Sequence, residues 1–101
     1  MITNKKIKTF DDYMETIDPV DRARINCKAA IMSKIIETRK QKGLSQHDLA
    51  SITGMKQPAI ARLENLKTVP TVDTLIEVLH PLGYTLEVVP IKESEPVTAL
   101  V

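Results

Sequence analysis

Residues 44–65, LSQHDLASITGMKQPAIARLEN, contain two short helical patterns on either side of a single glycine, Gly54. Ser45 is a preferred residue for the start of a helix, and Asp48 three positions later completes a variant of the capping box. Gly54 tolerates the left-handed backbone that ends many helices, and Pro58 suits the first turn of the next one. The stretch therefore predicts a helix beginning at Ser45, a tight turn at Gly54 and a second short helix around Pro58.

Apolar side chains recur in both patterns at helical spacing, which predicts one buried face on each helix. The second helix is left with a narrow polar face. Two short helices in this order are the arrangement in which the second enters the major groove of DNA while the first crosses the phosphate backbone. The positions expected in the core are Leu49, Ala50, Ile52, Ile60 and Leu63.

Two more helices are predicted on the amino-terminal side. Thr9 suits the cap of a short helix, and Pro19 suits the entry of a longer one that runs to about Gln41 before Gly43. The longer helix has an apolar stripe wide enough to pack against two neighbours. The members of that stripe are Ile25, Ala29, Met32 and Ile36, with Ile31 and Ile35 beside them.

The carboxyl-terminal side predicts one helix and one strand. Residues 70–83 have helical apolar spacing, a glycine stop, and Pro81 to distort the last turn. YTLEVVP, residues 84–90, has the alternation and β-branched content of a strand. A strand needs a partner, either its symmetry mate in a homodimer, or residues 2–8 or the tail of the same chain. The dimer would use Tyr84, Leu86 and Val88.

The composition is that of one small globular domain. The chain has 101 residues, 43% of them hydrophobic and 27% charged, with a formal net charge of +1. We predict a mainly α fold: a five-helix helix-turn-helix domain with an amino-terminal helical extension and a short carboxyl-terminal β-strand. The predicted division is an acidic extension in residues 1–20, a DNA-binding domain in residues 21–83, and a dimerisation strand with a tail in residues 84–101.

Several classes of function have little support in the sequence. The chain has only three glycines and no phosphate-binding glycine loop, and His80 has no partner at metal-ligand spacing. We therefore expect no enzyme activity, no cofactor and no metal site. A single cysteine, Cys27, excludes an intramolecular disulfide, and neither a signal peptide nor a membrane-spanning apolar run is present. These features favour a cytoplasmic protein that has no contact with a membrane.

The stretch from Arg39 to Gly83 resembles the Xre, or Cro/CI-like, family of helix-turn-helix repressors. Arg39, then GLSQHDLA, then the glycine turn, then Ile60 and the run RLEN, then Pro70 and Thr74-Leu75 all fall in the spacing of that family. The resemblance implies a repressor that binds double-stranded operator DNA. A helix-turn-helix that has lost DNA binding and serves as a protein-interaction module is the alternative.

The resemblance implies roles for individual residues. Gln46 matches the glutamine that contacts the DNA backbone and supports the recognition helix. The recognition-helix positions let Gln57 pair with adenine and Arg62 with guanine, while Pro58 makes only apolar contacts. Lys56 replaces a small capping residue, and Leu66 stands where the family commonly has glycine. The full set of DNA-binding candidates is Gln46, Lys56, Gln57, Pro58, Ala59, Arg62, Lys67 and Thr68.

The whole layout also resembles antitoxins of type II toxin-antitoxin modules, and HigA-type antitoxins most, through its small size, acidic helical extension and Xre-like domain. This resemblance implies a cognate toxin of the HigB type, a small basic mRNA endonuclease of the RelE-like group. The acidic extension would complement that toxin's basic surface, with its apolar side chains as anchors. The candidate contact residues are Phe10, Asp11, Asp12, Tyr13, Glu15 and Ile17.

Other interpretations stay open. The apolar residues of the extension, including Tyr13 and Ile17, would equally close the core against Ile31 and Ile35, and its acidic residues would then be solvated surface charge. The favoured function is a dimeric antitoxin that represses its own operon and neutralises a toxin by binding it. The alternatives are an Xre-family repressor without a toxin partner and a HipB-like antitoxin with a kinase-like toxin.

Overall fold

The computed structural model describes residues 9–91, which form a mainly helical structure containing a helix-turn-helix. A short 3-10 turn, His80–Leu82, follows the last helix, and residues 84–91 have no regular secondary structure. The predicted carboxyl-terminal strand is therefore not confirmed in the part of the chain that the structure describes. The helices are α1 Phe10–Glu15, α2 Pro19–Gln41, α3 Gln46–Thr53, α4 Gln57–Glu64 and α5 Val72–Leu79.

The predicted helix count is confirmed only in part. Because α1 belongs to the predicted extension, the helix-turn-helix domain has four α-helices within residues 19–83, and a fifth is not confirmed there. The last apolar segment instead changes from α5 to a 3-10 turn at Pro81, as the proline predicts.

The helices begin and end at the residues that local chemistry favours. The Thr9 hydroxyl accepts a hydrogen bond from the Asp12 N–H at 3.1 Å, and the Thr71 hydroxyl accepts one from the Thr74 N–H at 3.1 Å. Asp18 caps α2 in the same way, accepting from the Val20 N–H at 3.0 Å. Each of these bonds satisfies a backbone donor that has no partner inside its helix. Left-handed glycines follow three of the helical segments, at Gly43, Gly54 and Gly83.

The core lies between the second half of α2 and the faces of α3, α4 and α5 that point toward it. Ile35, Leu49, Ile60 and Val78 have no measurable exposure. Ile31 and Leu44 are partly buried against this cluster. The buried apolar residues among those described are Met32, Ile35, Leu49, Ala50, Ile60, Leu63, Leu75, Val78, Leu79 and Leu82.

Two predictions about the core were wrong. Ile52 is 53% exposed, because Leu49, Ala50 and Thr53 face inward and Ile52 lies roughly 100° around α3 from the centre of that face. Ile25 and Ala29 are exposed as well. They precede the point at which α2 meets the core, so only the carboxyl-terminal half of the predicted stripe packs against it.

The first half of α2 projects beyond the core. Every residue from 19 to 30 is exposed except Arg22, which is half-buried and donates to the Ile17 carbonyl at 3.2 Å. The connection to α1 is therefore tied to α2 rather than to the core. In residues 9–91 no helix is both long enough and apolar enough to cross a membrane.

Candidate nucleic-acid interface

A complete capping box starts α3. The Asp48 N–H donates to the Ser45 hydroxyl at 3.0 Å, and the Ser45 N–H donates to an Asp48 carboxylate oxygen at 2.8 Å. The backbone N–H and then the hydroxyl of Ser45 stabilise the charged carboxylate, so the pKa of Asp48 lies below its ordinary value. The predicted capping role of these two residues is confirmed, and it sets where α3 begins.

The turn between α3 and α4 leaves the first turn of α4 without a side-chain cap. Gly54 has a φ of 77°, in the left-handed region that glycine tolerates. Lys56 occupies the N-cap position of α4, and its side chain makes no capping hydrogen bond. Pro58 lies in the first turn, where its missing N–H removes one donor that would otherwise need a partner. The Ala59 N–H donates to the Lys56 carbonyl at 2.9 Å, so the groups of this turn that suit an anion such as a phosphate are the Gln57 N–H and the Lys56 ammonium.

The structure brings several of the predicted DNA-binding residues together. Gln46 and Gln57 are half-buried and joined by a hydrogen bond of 2.8 Å. Ala59, Arg62 and Thr68 line one pocket of about 230 Å³ between α4 and the loop that follows it. The other candidates are exposed without lining that pocket, namely Lys56, Pro58 and Lys67.

A buried ion pair lies behind the exposed face of α4. Arg39 donates from Nε and Nη2 to the two carboxylate oxygens of Glu64 at 2.8 and 3.0 Å, while its Nη1 donates to the Leu44 carbonyl at 3.0 Å. The two side chains are only 10% and 4% exposed. Gln46 donates from Nε2 to Glu64 Oε1 at 3.0 Å, and Gln57 donates from Nε2 to Gln46 Oε1 at 2.8 Å. The ion pair joins the end of α2 to α4 directly, and the two glutamines add a connection between α3 and α4.

The contact between Arg39 and Glu64 was not predicted from the sequence, where both residues are matches to a family pattern. A signal was present. Arg39 follows Ile35 by four residues and Glu64 follows Ile60 by four, so each charge occupies a helical position that the periodicity assigns to the core. Two opposite charges at such positions indicate a buried pair, because an unpaired buried charge is very costly.

Leu66 ends α4 in an unusual conformation. Its φ of 59° makes it the one non-glycine residue with positive φ among those described. The Lys67 N–H donates to the Arg62 carbonyl at 2.9 Å and the Leu66 N–H to the Leu63 carbonyl at 3.1 Å. These two bonds form a Schellman motif with Leu66 at the position that glycine usually occupies. Leu66 therefore replaces the glycine that is common at this position, while the two hydrogen bonds of the turn are retained.

The predicted toxin-binding residues lie on α1 and the turn after it. Tyr13 is 46% exposed, Glu15 is exposed, and Asp12 and Ile17 are half-buried. Neither Tyr13 nor Ile17 is among the described core residues. The side chains of Phe10 and Asp11, two further candidates, lie outside what the structure describes.

The three predicted dimerisation residues have different surroundings. Tyr84 is 43% exposed, and the Lys34 ammonium lies 5.4 Å from the centre of its ring. Leu86 is partly buried against the chain's own core, whereas Val88 is 99% exposed. Val88 is therefore the member of this set most available to a partner.

Three comparisons with known proteins agree with this geometry. A family model described as a helix-turn-helix domain matches residues 13–90. The chain is 43% identical over 67 residues to an uncharacterized HTH-type transcriptional regulator from Haemophilus influenzae, covering 66% of this chain and 68% of that protein. It is also similar to a solved structure titled Toxin-Antitoxin module from Streptococcus pneumoniae, with a TM-score of 0.72, 40% identity, and coverage of 89% of this chain and 100% of that chain. The chain belongs to the helix-turn-helix domain family.

Proposed function

We propose that this chain is an antitoxin that represses its own operon as a sequence-specific DNA-binding dimer and neutralises a toxin by direct binding. One observation carries the proposal. The chain matches a component of a toxin-antitoxin module over that component's full length at 40% identity. The proposed division of labour follows the predicted boundaries, with residues 1–20 for the toxin, 21–83 for DNA and 84–101 for dimerisation.

The DNA-binding surface would combine phosphate contacts with base contacts. Lys56, Lys67 and Thr68 are exposed beside the two ends of α4, where they suit phosphate oxygens. Arg62 is exposed on α4 itself, and a guanidinium pairs bidentately with guanine. Ala59 lies one turn before it and suits a thymine methyl group. The surface thus has both the contacts that position a protein on DNA and those that read sequence.

The toxin-binding surface would be α1 and the turn after it, within the extension of residues 1–20. Tyr13 is an exposed aromatic anchor, and Asp12 and Glu15 supply negative charge beside it. Tyr13 and Ile17 are not part of the described core, which supports a role in docking the toxin over the alternative in which they close the core. An acidic surface suits a small basic toxin, so we propose a HigA-type antitoxin with a RelE-like partner of the HigB type.

Dimerisation would place two recognition helices on the half-sites of a palindromic operator. Residues 84–91 have no regular secondary structure and make no strand pairing within residues 9–91, while Val88 is almost fully exposed. Pairing of this segment with its symmetry mate would give the backbone N–H and C=O groups of both copies hydrogen-bond partners. The alternative partners within the chain, residues 2–8 and the tail, lie outside the described residues.

The test is co-purification of the tagged chain with the product of the adjacent gene, followed by a gel-shift assay of the complex on the upstream DNA. Two variants separate the toxin-binding surface from the DNA-binding surface. Tyr13→Ala is expected to weaken the toxin complex and keep DNA binding, whereas Arg62→Ala is expected to do the reverse. Tyr84→Ala is the matched control for Tyr13, since the two tyrosines are similarly exposed, and it is expected to leave the toxin complex intact.

The outcomes distinguish the alternatives. A complex with a small basic protein that Tyr13→Ala disrupts supports the RelE-like partner. A complex with a kinase-sized protein would replace it with a HipB-like antitoxin. Operator binding with no complex at all would leave a repressor without a toxin, which the name of the relative from Haemophilus influenzae favours. A toxin complex without any DNA binding would leave only a protein-interaction module.

A further inference from the structure

Residues 84–91 divide into a part that is attached to the chain's own domain and a part that is not. Leu86 is partly buried against the core, whereas Val88 two positions later is 99% exposed and the rest of residues 87–91 are exposed as well. We propose that Lys34 and Leu86 are positioning residues, which fix the direction in which residues 87–91 leave the domain and so select the spacing between the two half-sites of the operator. This inference rests on the proposed dimeric DNA binding and adds to it the origin of the spacing preference.

The attachment begins with a turn that two backbone hydrogen bonds hold in place. The Tyr84 N–H donates to the Leu79 carbonyl at 3.0 Å. The Gly83 N–H donates to the His80 carbonyl, also at 3.0 Å. With Gly83 at a φ of 94°, these two bonds form a Schellman motif, which determines how the chain leaves a helical segment. The path of the chain is therefore fixed as far as Tyr84.

Two side-chain contacts continue the attachment beyond the turn. The Lys34 ammonium lies 5.4 Å from the centre of the Tyr84 ring, within the range of a cation–π contact. The same ammonium donates to a Glu37 carboxylate oxygen at 3.3 Å, so the ring and the carboxylate share it. Leu86 then packs against the core. Both contacts lie within one chain, so neither depends on a partner chain.

The long helix α2 connects this attachment with the recognition helix α4. Lys34 precedes Arg39 by five residues, about 7.5 Å along a helix axis, and Arg39 forms the buried ion pair with Glu64 at the end of α4. One helix thus carries both the contact that directs residues 87–91 and the contact that holds α4. Because residues 87–91 would meet their symmetry mates at the two-fold axis, their direction sets the distance and the rotation between the two recognition helices.

The experiment uses the full chain and duplexes that carry two copies of its preferred half-site, which is first selected from a randomised library. The centre-to-centre spacing is varied in single base-pair steps over one helical turn, and the Kd of each duplex is measured by fluorescence anisotropy. One step moves a half-site by about 3.4 Å and rotates it by roughly 35°. For the wild-type chain we expect one preferred spacing and binding about tenfold weaker or more at one step away, because a fixed attachment leaves the deformation to the DNA.

Two variants loosen the attachment at different points. Lys34→Met removes the ammonium and keeps an unbranched side chain. The ratio of the off-spacing Kd to the preferred Kd is expected to fall roughly two- to fivefold, the factor for an exposed cation–π contact. Leu86→Ala removes the packing contact, and all spacings are expected to bind within about threefold of one another, since a mobile segment is redirected at little cost. A merely structural role for either residue would weaken binding at every spacing alike and leave the ratio unaltered.

Two control variants keep the contact with the Tyr84 ring. Lys34→Arg retains a cation that can lie over the ring. Glu37→Ala removes the ion pair of Lys34 and leaves the ammonium beside the ring. Both are expected to show the spacing ratio of the wild-type chain, so a change that is confined to Lys34→Met and Leu86→Ala belongs to the attachment.

The outcomes separate this inference from the proposed function. Because the Lys34 side chain is 46% exposed, Lys34→Met is expected to fold, and melting curves check both variants. If Leu86→Ala fails to fold, Lys34→Met decides alone. An unchanged spacing ratio in either folded variant would overturn the inference and leave the DNA-binding dimer standing. A wild-type chain that selects no half-site, or that binds one half-site as tightly as two at every spacing, would overturn both.

Discussion

Removal of one member of the Arg39–Glu64 pair is expected to be among the most damaging single changes to this domain. Replacement of Arg39 by Met leaves a carboxylate that is 4% exposed with only the Gln46 amide as a donor. Replacement of Glu64 by Leu leaves a guanidinium that is 10% exposed with only the Leu44 carbonyl. An uncompensated buried charge of this kind costs about 3 to 5 kcal/mol of unfolding free energy.

That cost is large relative to the total unfolding free energy of the domain. A domain of this size has an unfolding free energy of about 5 to 15 kcal/mol, and a loss of 3 to 5 kcal/mol lowers its Tm by roughly 12 to 40 °C. Urea and thermal unfolding followed by circular dichroism measure the change in each single variant. Glu37→Ala is the control, because the Lys34–Glu37 pair is about half exposed at both ends, and its loss is expected to cost less than about 0.5 kcal/mol.

The double variant Arg39→Met/Glu64→Leu completes a mutant cycle. With both charges gone, apolar side chains can fill the site, and we expect most of the stability lost in either single variant to return. The reasoning would be refuted if the single variants cost no more than Glu37→Ala. It would also fail if the double variant lost the sum of the two single losses, since that result means that the two side chains act independently.

Three further predictions follow from local structure. Leu66→Gly is expected to be more stable than Leu66→Ala by about 1 kcal/mol, because only glycine adopts the left-handed backbone freely; equal urea midpoints would contradict this. The pKa of Asp48 lies below its unfolded-state value, so the carboxylate's contribution to stability is complete above the unfolded pKa and is lost as pH falls through the folded one. Ser45→Ala keeps the backbone donor, so an NMR titration is expected to show the Asp48 pKa rising only part of the way to its ordinary value. Arg62→Ala is expected to cost about 1 to 3 kcal/mol on the preferred DNA and to relax specificity at one base pair, whereas Lys67→Ala weakens all sequences alike; equal losses for Arg62→Ala on preferred and random duplexes would remove its base-reading role.

The helix boundaries were predictable because they depend on contacts within a few residues. Ser45, Gly54 and Pro81 each act on the backbone beside them, and each has the predicted effect. Burial depends instead on what packs against a helix, and periodicity alone does not supply that. Ile25 therefore belongs to the same stripe as Met32 and is nevertheless exposed, because the core ends before it is reached.

The positions of the predicted DNA-binding residues on their helices follow from the sequence more fully than do their contacts with one another. The spacing placed Gln46 and Gln57 at the starts of two helices, and their side chains do meet across the turn. The charges behind them were separated by 25 positions in sequence, a distance over which no local rule operates. The proposed interaction surfaces on α1 and in residues 84–89 depend on partners, so the sequence alone yields only the prediction that a partner binds there.

The Arg39–Glu64 ion pair is better explained by the acceptor that it offers to Gln46 than by the stability that it provides. Buried pairs are often replaced by apolar side chains without loss of stability, so stability alone gives little reason to keep Arg39 and Glu64. An apolar pair, however, has no acceptor to turn toward Gln46, and the orientation of both glutamine amides would then be undetermined. The double variant Arg39→Met/Glu64→Leu therefore separates the two roles. We expect the double variant to be folded and to bind its preferred DNA more weakly than the wild-type chain does, because the Gln46 and Gln57 side chains are no longer held in place before binding.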